Sequence, residues 1–294
     1  MALYTKYGYQ PDEEGISRNL SMIAGNIANA NDPDLYRSCF AAMDLTTLKA
    51  TDNPSTVGAL AAKVNNLQDA FPDMPSPASI CVYSNLVPAV KSSLTFPGVG
   101  VTAVAGAFPA AQTFLELKVK ECELAIAAGA DEIDVVMPVG LFLSGDYDAV
   151  SNELSAIRHA IDTASPEKHI TLKIIIESGI LVTAEKIADA SFLAMECGAD
   201  FIKTSTGKVE VNATPQAAYV MCQCIALFAQ RTGRKVGFKA AGGISSAADA
   251  AVYHSIVSTV LGPGWLDRNH FRLGVSRLGN SLISAIQGST VVYF

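Results

Sequence analysis

Ala199-Asp200-Phe201-Ile202-Lys203-Thr204-Ser205-Thr206-Gly207-Lys208 runs from a short apolar segment onto a lysine and straight into a glycine-bearing loop. The pattern returns at Val236-Gly237-Phe238-Lys239-Ala240-Ala241-Gly242-Gly243. Each is a strand end followed by a loop and a helical pattern, the unit from which parallel sheets are built. Working outward, strand-like runs recur at 39–45, 78–83, 100–106, 132–137, 171–177, 200–204, 236–240 and 271–275. Amphipathic helical patterns separate them at 53–71, 86–94, 112–128, 146–164, 183–197, 214–231, 246–261 and 277–287. Helix starts are marked by Thr183, by Thr214 ahead of Pro215, and by Ser245-Ser246 ahead of Asp249. This alternation predicts an α/β fold, a single (β/α)8 TIM barrel, with its functional residues where strands end and helices begin. A doubly wound open sheet is the alternative, but no GxGxxG follows the first strand. Residues 1–38 form an N-terminal extension with one helix over 19–29, lying across the lower mouth or at a subunit contact. The barrel occupies 39–288, and 289–294 form a tail.

A chain of 294 residues, half of them apolar, has enough material for one large core. Its apolar runs are short and broken by charge, so none reads as a membrane span. The N-terminus has neither the basic start nor the continuous apolar stretch of a secretory signal, which points to the cytoplasm. Cys39, Cys81, Cys122, Cys197, Cys222 and Cys224 form no CxxC pair and no metal-ligand spacing with the four histidines, so reduced buried thiols are expected and no metal. A net charge of −7 argues against nucleic acid as a partner. Any anion bound here must be held by a local cluster of cations and amides.

Polar residues collect at the strand ends: Asp44, Asp134, Lys173, Glu177, Lys203 and Lys239. Side chains of barrel strands alternate between axis and helix layer, so an acidic or basic residue in a strand must find a partner or lose its charge. Asp134, among Ile133, Val135 and Val136, calls for a lysine from another strand. Asp131 and Glu132 read as solvated charges at that strand's start. A buried lysine beside a second cation has a depressed proton affinity and becomes a nucleophilic amine. The competing reading is a lysine whose stem is buried and whose head reaches water, or a purely structural ion pair. Two loops, Thr204-Ser205-Thr206-Gly207-Lys208 and Gly242-Gly243-Ile244-Ser245, suit a phosphate through freed amides and a following helix N-terminus. Gly274-Val275-Ser276-Arg277 adds a hydroxyl and a guanidinium after the eighth strand.

In these residues the chain resembles the deoxyribose-phosphate aldolases, class I Schiff-base aldolases of the (β/α)8 type. The resemblance covers about 39 to 288. It is carried by Met43-Asp44-Leu45-Thr46-Thr47-Leu48, Ile80-Cys81-Val82-Tyr83, Gly129-Ala130-Asp131-Glu132-Ile133-Asp134-Val135-Val136, Leu172-Lys173-Ile174-Ile175-Ile176-Glu177 and the two lysine motifs. It implies that Lys203 forms the imine, that Lys239 is the neighbouring ammonium, and that Asp134 shuttles a proton through water. Lys173 would belong to the polar interior, Asp44 and Thr46 would organise the pocket, and Cys81 would lie near the substrate. Thr206, Gly207, Lys208, Gly242, Gly243, Gly274 and Ser276 would surround the phosphate. The implied reaction is reversible cleavage of 2-deoxy-D-ribose 5-phosphate to D-glyceraldehyde 3-phosphate and acetaldehyde, with no metal or organic cofactor. The partners are then small molecules, and a homo-oligomer is compatible with the sequence.

The chain departs from the family pattern at Ala240, where proline is common, and at Ser245, where an arginine often follows Gly-Gly-hydrophobic. Arg277, where serine is commoner, is expected to replace that missing cation at the phosphate. Many members end in a tyrosine that assists proton transfer; here Tyr293 is penultimate. The missing arginine leaves open an unphosphorylated or different aldehyde as substrate. A catalytically inactive sugar-phosphate-binding barrel is the competing class, and Lys203, Lys239 and Asp134 together count against it.

Overall fold

The computed structural model describes residues 2–27 and 32–294. Strands β1 (Met43–Thr46), β2 (Ser79–Tyr83), β3 (Gly100–Ala105), β4 (Glu132–Val136), β5 (Thr171–Ile175), β6 (Phe201–Lys203), β7 (Gly237–Ala241) and β8 (Phe271–Val275) pair in parallel and in sequence order. β1 also pairs with β8, closing the barrel. A parallel pair needs a crossover, and helices supply each one. Their starts are the residues that the sequence marks. Asn53 caps Pro54–Asn65 in a reciprocal capping box, Thr183 caps Ala184–Glu196, Thr214 caps Pro215–Thr232, and Ser246 caps Ala247–Val260. Each cap satisfies an amide that the first helical turn leaves open, contributing about 1 kcal/mol.

Alternation along the strands sorts side chains into two environments. Ile133 and Val135, Leu172 and Ile174, and Ile202 and Phe238 face outward into one continuous apolar core beneath the helices. The residues between them, including Asp134, Lys173, Lys203 and Lys239, point to the axis. The first strand begins later than its apolar run suggested. Cys39–Ala41 end a helix, Pro33–Ala41, because Asp32 caps it, Pro33 occupies its first turn, and Tyr36, Cys39 and Phe40 share a buried face. The helix expected over 19–29 is found as Glu13–Ile27; Ala28 and Asn29 lie outside the described residues. The N-terminal helices lie along the helix layer, Glu13–Ile27 against Pro215–Thr232 and Ala247–Val260. Tyr7 fixes the start of the chain, stacking on Phe192 at 4.3 Å and donating its hydroxyl to Glu196 at 2.8 Å.

Candidate active site

Seven ionisable side chains meet on the barrel axis, all at least nine-tenths buried. Asp134 is their hub: its Oδ1 accepts from Lys173 Nζ at 2.9 Å, and its Oδ2 accepts from Lys203 and Lys239 at 2.8 Å each. Strand register explains the gathering. Asp134 and Lys173 are opposite one another on β4 and β5, and Lys203 and Lys239 on β6 and β7. Lys239 continues to Asp44 Oδ2, whose other oxygen is held by Arg272 Nη1 and by Ser79 Oγ. Arg272 forks onto Glu132, with Nη2 at 2.7 Å from Oε1 and Nη1 at 3.0 Å from Oε2, and Glu132 pairs with Lys173. Glu132 is therefore interior, not a solvated charge. It lies two residues before Asp134 and shares its inward face, whereas Asp131 does face outward, to Lys91 and Lys168.

Lys203 and Lys239 are in opposite electrostatic situations. Burial drives the proton affinity of Lys203 down, and the Lys239 charge adds to this; Asp134 opposes them without prevailing. For Lys239 burial acts in the same direction, but Asp134 and Asp44 together outweigh it and hold the ammonium firmly protonated. Lys173 is likewise kept charged, by Asp134, Glu132 and Asp44 against burial. Burial also works against the Asp134 carboxylate, yet Lys173, Lys203 and Lys239 hold it well below the usual carboxylate range. Of the three lysines, Lys203 is the one whose proton affinity is lowered, and this favours the nucleophilic amine there.

Lys203 also lines a cavity of about 610 Å³ at the C-terminal ends of the strands. Thr46, Thr206, Gly207, Lys208, Gly242, Gly243, Gly274, Ser276 and Arg277 line it too. Lys49, Lys63, Lys208 and Arg277 set four cations around it, with Asp52 the only acidic lining residue among the described ones. Asp52 is itself engaged by Thr47 Oγ1 at 2.7 Å and by the Lys49 amide at 2.8 Å. An acidic protein therefore presents an electropositive mouth. Lys208 reaches across it to the Leu48 carbonyl at 2.6 Å, and Arg277 is exposed with no ion pair among the described residues.

Several expected residues have different surroundings from those the sequence suggested. Thr206 spends its hydroxyl on Glu177 Oε2 at 2.6 Å and its amide on Oε1 at 3.0 Å, so it fastens its loop. Asp249 takes the amides of Ser245 and Ser246, and Ser281 takes that of Ala247. Those amides of the first helical turn are therefore already engaged, whereas Gly242, Gly243, Ser276 and Arg277 line the cavity. Cys81 is fully buried in an apolar cluster with Leu48 and Val104, and burial pushes its thiol up. Tyr293 does not line the cavity; its hydroxyl donates to the Lys63 carbonyl at 2.7 Å and its ring meets Phe71 edge-on. Asn280 Oδ1 accepts both the Tyr293 and the Phe294 amides at 2.8 Å, and this anchorage leaves Phe294, the next residue, at the cavity. Lys49, Lys63, Glu132, Arg272 and Phe294 were missed from sequence.

Backbone form at the mouth depends on Gly242. Its φ is +87°, and an added Cβ would lie 2.6 Å from Asn212 Cβ. Gly242→Ala is expected to lower stability by about 1–2 kcal/mol, the cost of a left-handed L-residue. Chemical denaturation checks this.

A barrel whose C-terminal mouth opens on a buried primary amine is the layout of an enzyme that handles carbonyl compounds. The chain belongs to the DeoC/LacD family of aldolases and is an aldolase: the profile described as "DeoC/LacD family aldolase" matches residues 39–259. It is 40% identical over 249 residues to a deoxyribose-phosphate aldolase of Homo sapiens, covering 80% of this chain and 76% of that one. A Caenorhabditis elegans protein provisionally named a deoxyribose-phosphate aldolase is 39% identical over 269 residues, covering 91% of this chain and 86% of that one. The fold is shared with the tetrameric deoxyribose phosphate aldolase of Aeropyrum pernix, at TM-score 0.65 and 23% identity, covering 93% of this chain and 98% of the other.

Proposed function

We propose that this aldolase reversibly cleaves 2-deoxy-D-ribose 5-phosphate to D-glyceraldehyde 3-phosphate and acetaldehyde through an imine on Lys203. The observation that carries the reading is the buried Lys203 amine at the cavity floor, 2.8 Å from Asp134 and opposite the charged Lys239. Lys203 Nζ adds to C1 of the open-chain aldehyde, and loss of water gives the protonated imine. Removal of the C3 hydroxyl proton lets the C2–C3 electron pair pass to the imine nitrogen, releasing glyceraldehyde 3-phosphate and leaving an enamine. Protonation at C2 and hydrolysis then free acetaldehyde and the amine. Asp134, held ionised by the Lys173 and Lys239 ammonium groups, is a proton acceptor in the resting site and relays through water. Supporting the phosphorylated substrate are Lys208, Arg277 and the Gly242-Gly243 backbone around the mouth. The test compares deoxyribose 5-phosphate with plain deoxyribose in an assay for released acetaldehyde. A kcat/KM preference of about 100-fold for the phosphate ester is expected from two charge-assisted contacts. Equal turnover of both sugars would refute the phosphate reading.

Arg277 takes the place of the arginine that Ser245 lacks. Arg277→Ala is expected to raise KM for the phosphorylated sugar about tenfold, the loss of one charge-assisted contact, and to leave plain deoxyribose unaffected. Steady-state kinetics on both sugars check it; an unchanged KM removes Arg277 from the phosphate site. The reading extends to a cytoplasmic location, supported by six buried cysteines without disulfides. Among the described residues no helix is long and apolar enough to cross a membrane. A homo-oligomer is part of the same proposal, supported by the tetrameric Aeropyrum pernix relative.

A further inference from the structure

The interior charges form a closed ring of alternating sign. It runs Asp44, Arg272, Glu132, Lys173, Asp134, Lys239 and back to Asp44, each link an ion pair. Three carboxylates balance three cations. Lys203 is outside the ring and, among the described residues, forms an ion pair with Asp134 alone. Its register neighbours also matter: Lys203 faces Lys239, and Lys239 faces Arg272, so β6, β7 and β8 present a row of basic side chains.

We propose that Arg272 and Glu132 are positioning residues for Lys203: they close a neutral ring of six buried charges that leaves no net counter-charge for a proton on the Lys203 amine. The proposal rests on the imine reading above. Neither residue lines the cavity, so both act through the ring. Arg272 is fixed for the task by two prongs on Glu132, one on Asp44 and an Nε–H donated to the Arg268 carbonyl. Glu132 Oε2 also accepts from Thr102 Oγ1 at 3.0 Å, and Thr102 is joined to Ser79, which holds Asp44. These hydroxyls keep the ring's lone pairs satisfied without adding charge. Besides the ring, Cys81 on β2 and Glu177 after β5 face Lys203. The Cys81 thiol is kept protonated by burial, and burial likewise pushes Glu177 up, opposite to the ring carboxylates. Lys208, on the loop after β6, is turned away to Leu48.

The test is the pH dependence of the Lys203 reaction, read as the rate of borohydride-trapped acetaldehyde adduct by intact mass. The rate falls on the acid side as Lys203 takes a proton. Arg272→Met removes a positive charge, so Lys203 holds its proton more tightly and the acid limb moves up by about one pH unit. Glu132→Gln removes a negative charge, and the limb moves down by about as much. The double variant restores the balance and returns the limb to within about 0.3 unit of wild type, while Arg272→Lys, which keeps the charge, leaves it in place. Singles that fold and shift the limb in the same direction, or not at all, overturn the proposal. If a single variant fails to fold, the double variant decides: a limb displaced by more than about half a unit overturns it. Absence of a Lys203-dependent adduct in the wild type sinks the imine reading instead, so the two failures are distinguishable.

Discussion

Lys203→Ala is expected to lower kcat for deoxyribose-phosphate cleavage by about four orders of magnitude or more, the scale seen when a covalent nucleophile is removed. Among the described residues no other amine is placed for the reaction. Lys173 and Lys239 are each held protonated between carboxylates and are fully buried beneath the cavity floor. Lys208 and Arg277 stand at its mouth. Stability is expected to be little affected, because the ring of six charges closes without Lys203 and the variant removes a desolvated amine. Steady-state turnover alongside a thermal melt separates loss of chemistry from loss of fold. A variant that keeps a tenth of wild-type kcat would show that another group carries the reaction.

Asp134→Asn combines the second-largest loss of activity with the largest loss of stability. The amide removes the shared partner of Lys173, Lys203 and Lys239 at once, leaving Lys173 and Lys239 with less buried counter-charge. Breaking a buried charge network from one side costs about 3–5 kcal/mol. The turnover loss is expected at about 10³-fold, the proton relay being gone as well. The destabilisation should depend on pH in a defined direction. The Asp134, Asp44 and Glu132 carboxyls are held below their ordinary range in the fold. An unfolded chain therefore binds protons that the folded one refuses, and their stabilisation is fully present above about pH 5 and falls away as pH drops further. Denaturation of wild type and variant should show a gap that is widest at neutral pH and narrows in acid. A gap that is constant from pH 7 to pH 3 would contradict the depressed carboxyls.

The barrel was legible because its strands are short apolar runs with β-branched residues, separated by helices whose starts carry their own capping residues, as at Thr183 and Thr214-Pro215. Lys203, Lys239 and Asp134 stood out because charge inside such runs demands a partner. Glu132 was misread because it follows Asp131, and a pair of acids at a strand start looks solvated. The signal that separates them is the two-residue repeat, which puts Glu132 on the inward face with Asp134. Arg272, in Phe271-Arg272-Leu273-Gly274, carried the same signal through its alternation with two fully buried residues. Its partners Asp44 and Glu132 are on other strands, and only closure of the sheet brings β8 beside β1. The tail was beyond local reading because Asn280 sets its direction.

The most direct test of the account is intact mass after incubation with acetaldehyde and borohydride, for wild type and Lys203→Ala. An imine on Lys203 predicts one reduced two-carbon adduct in the wild type and none in the variant beyond slow labelling of surface lysines. Equal labelling of the two proteins, with deoxyribose-phosphate cleavage intact in both, would contradict it.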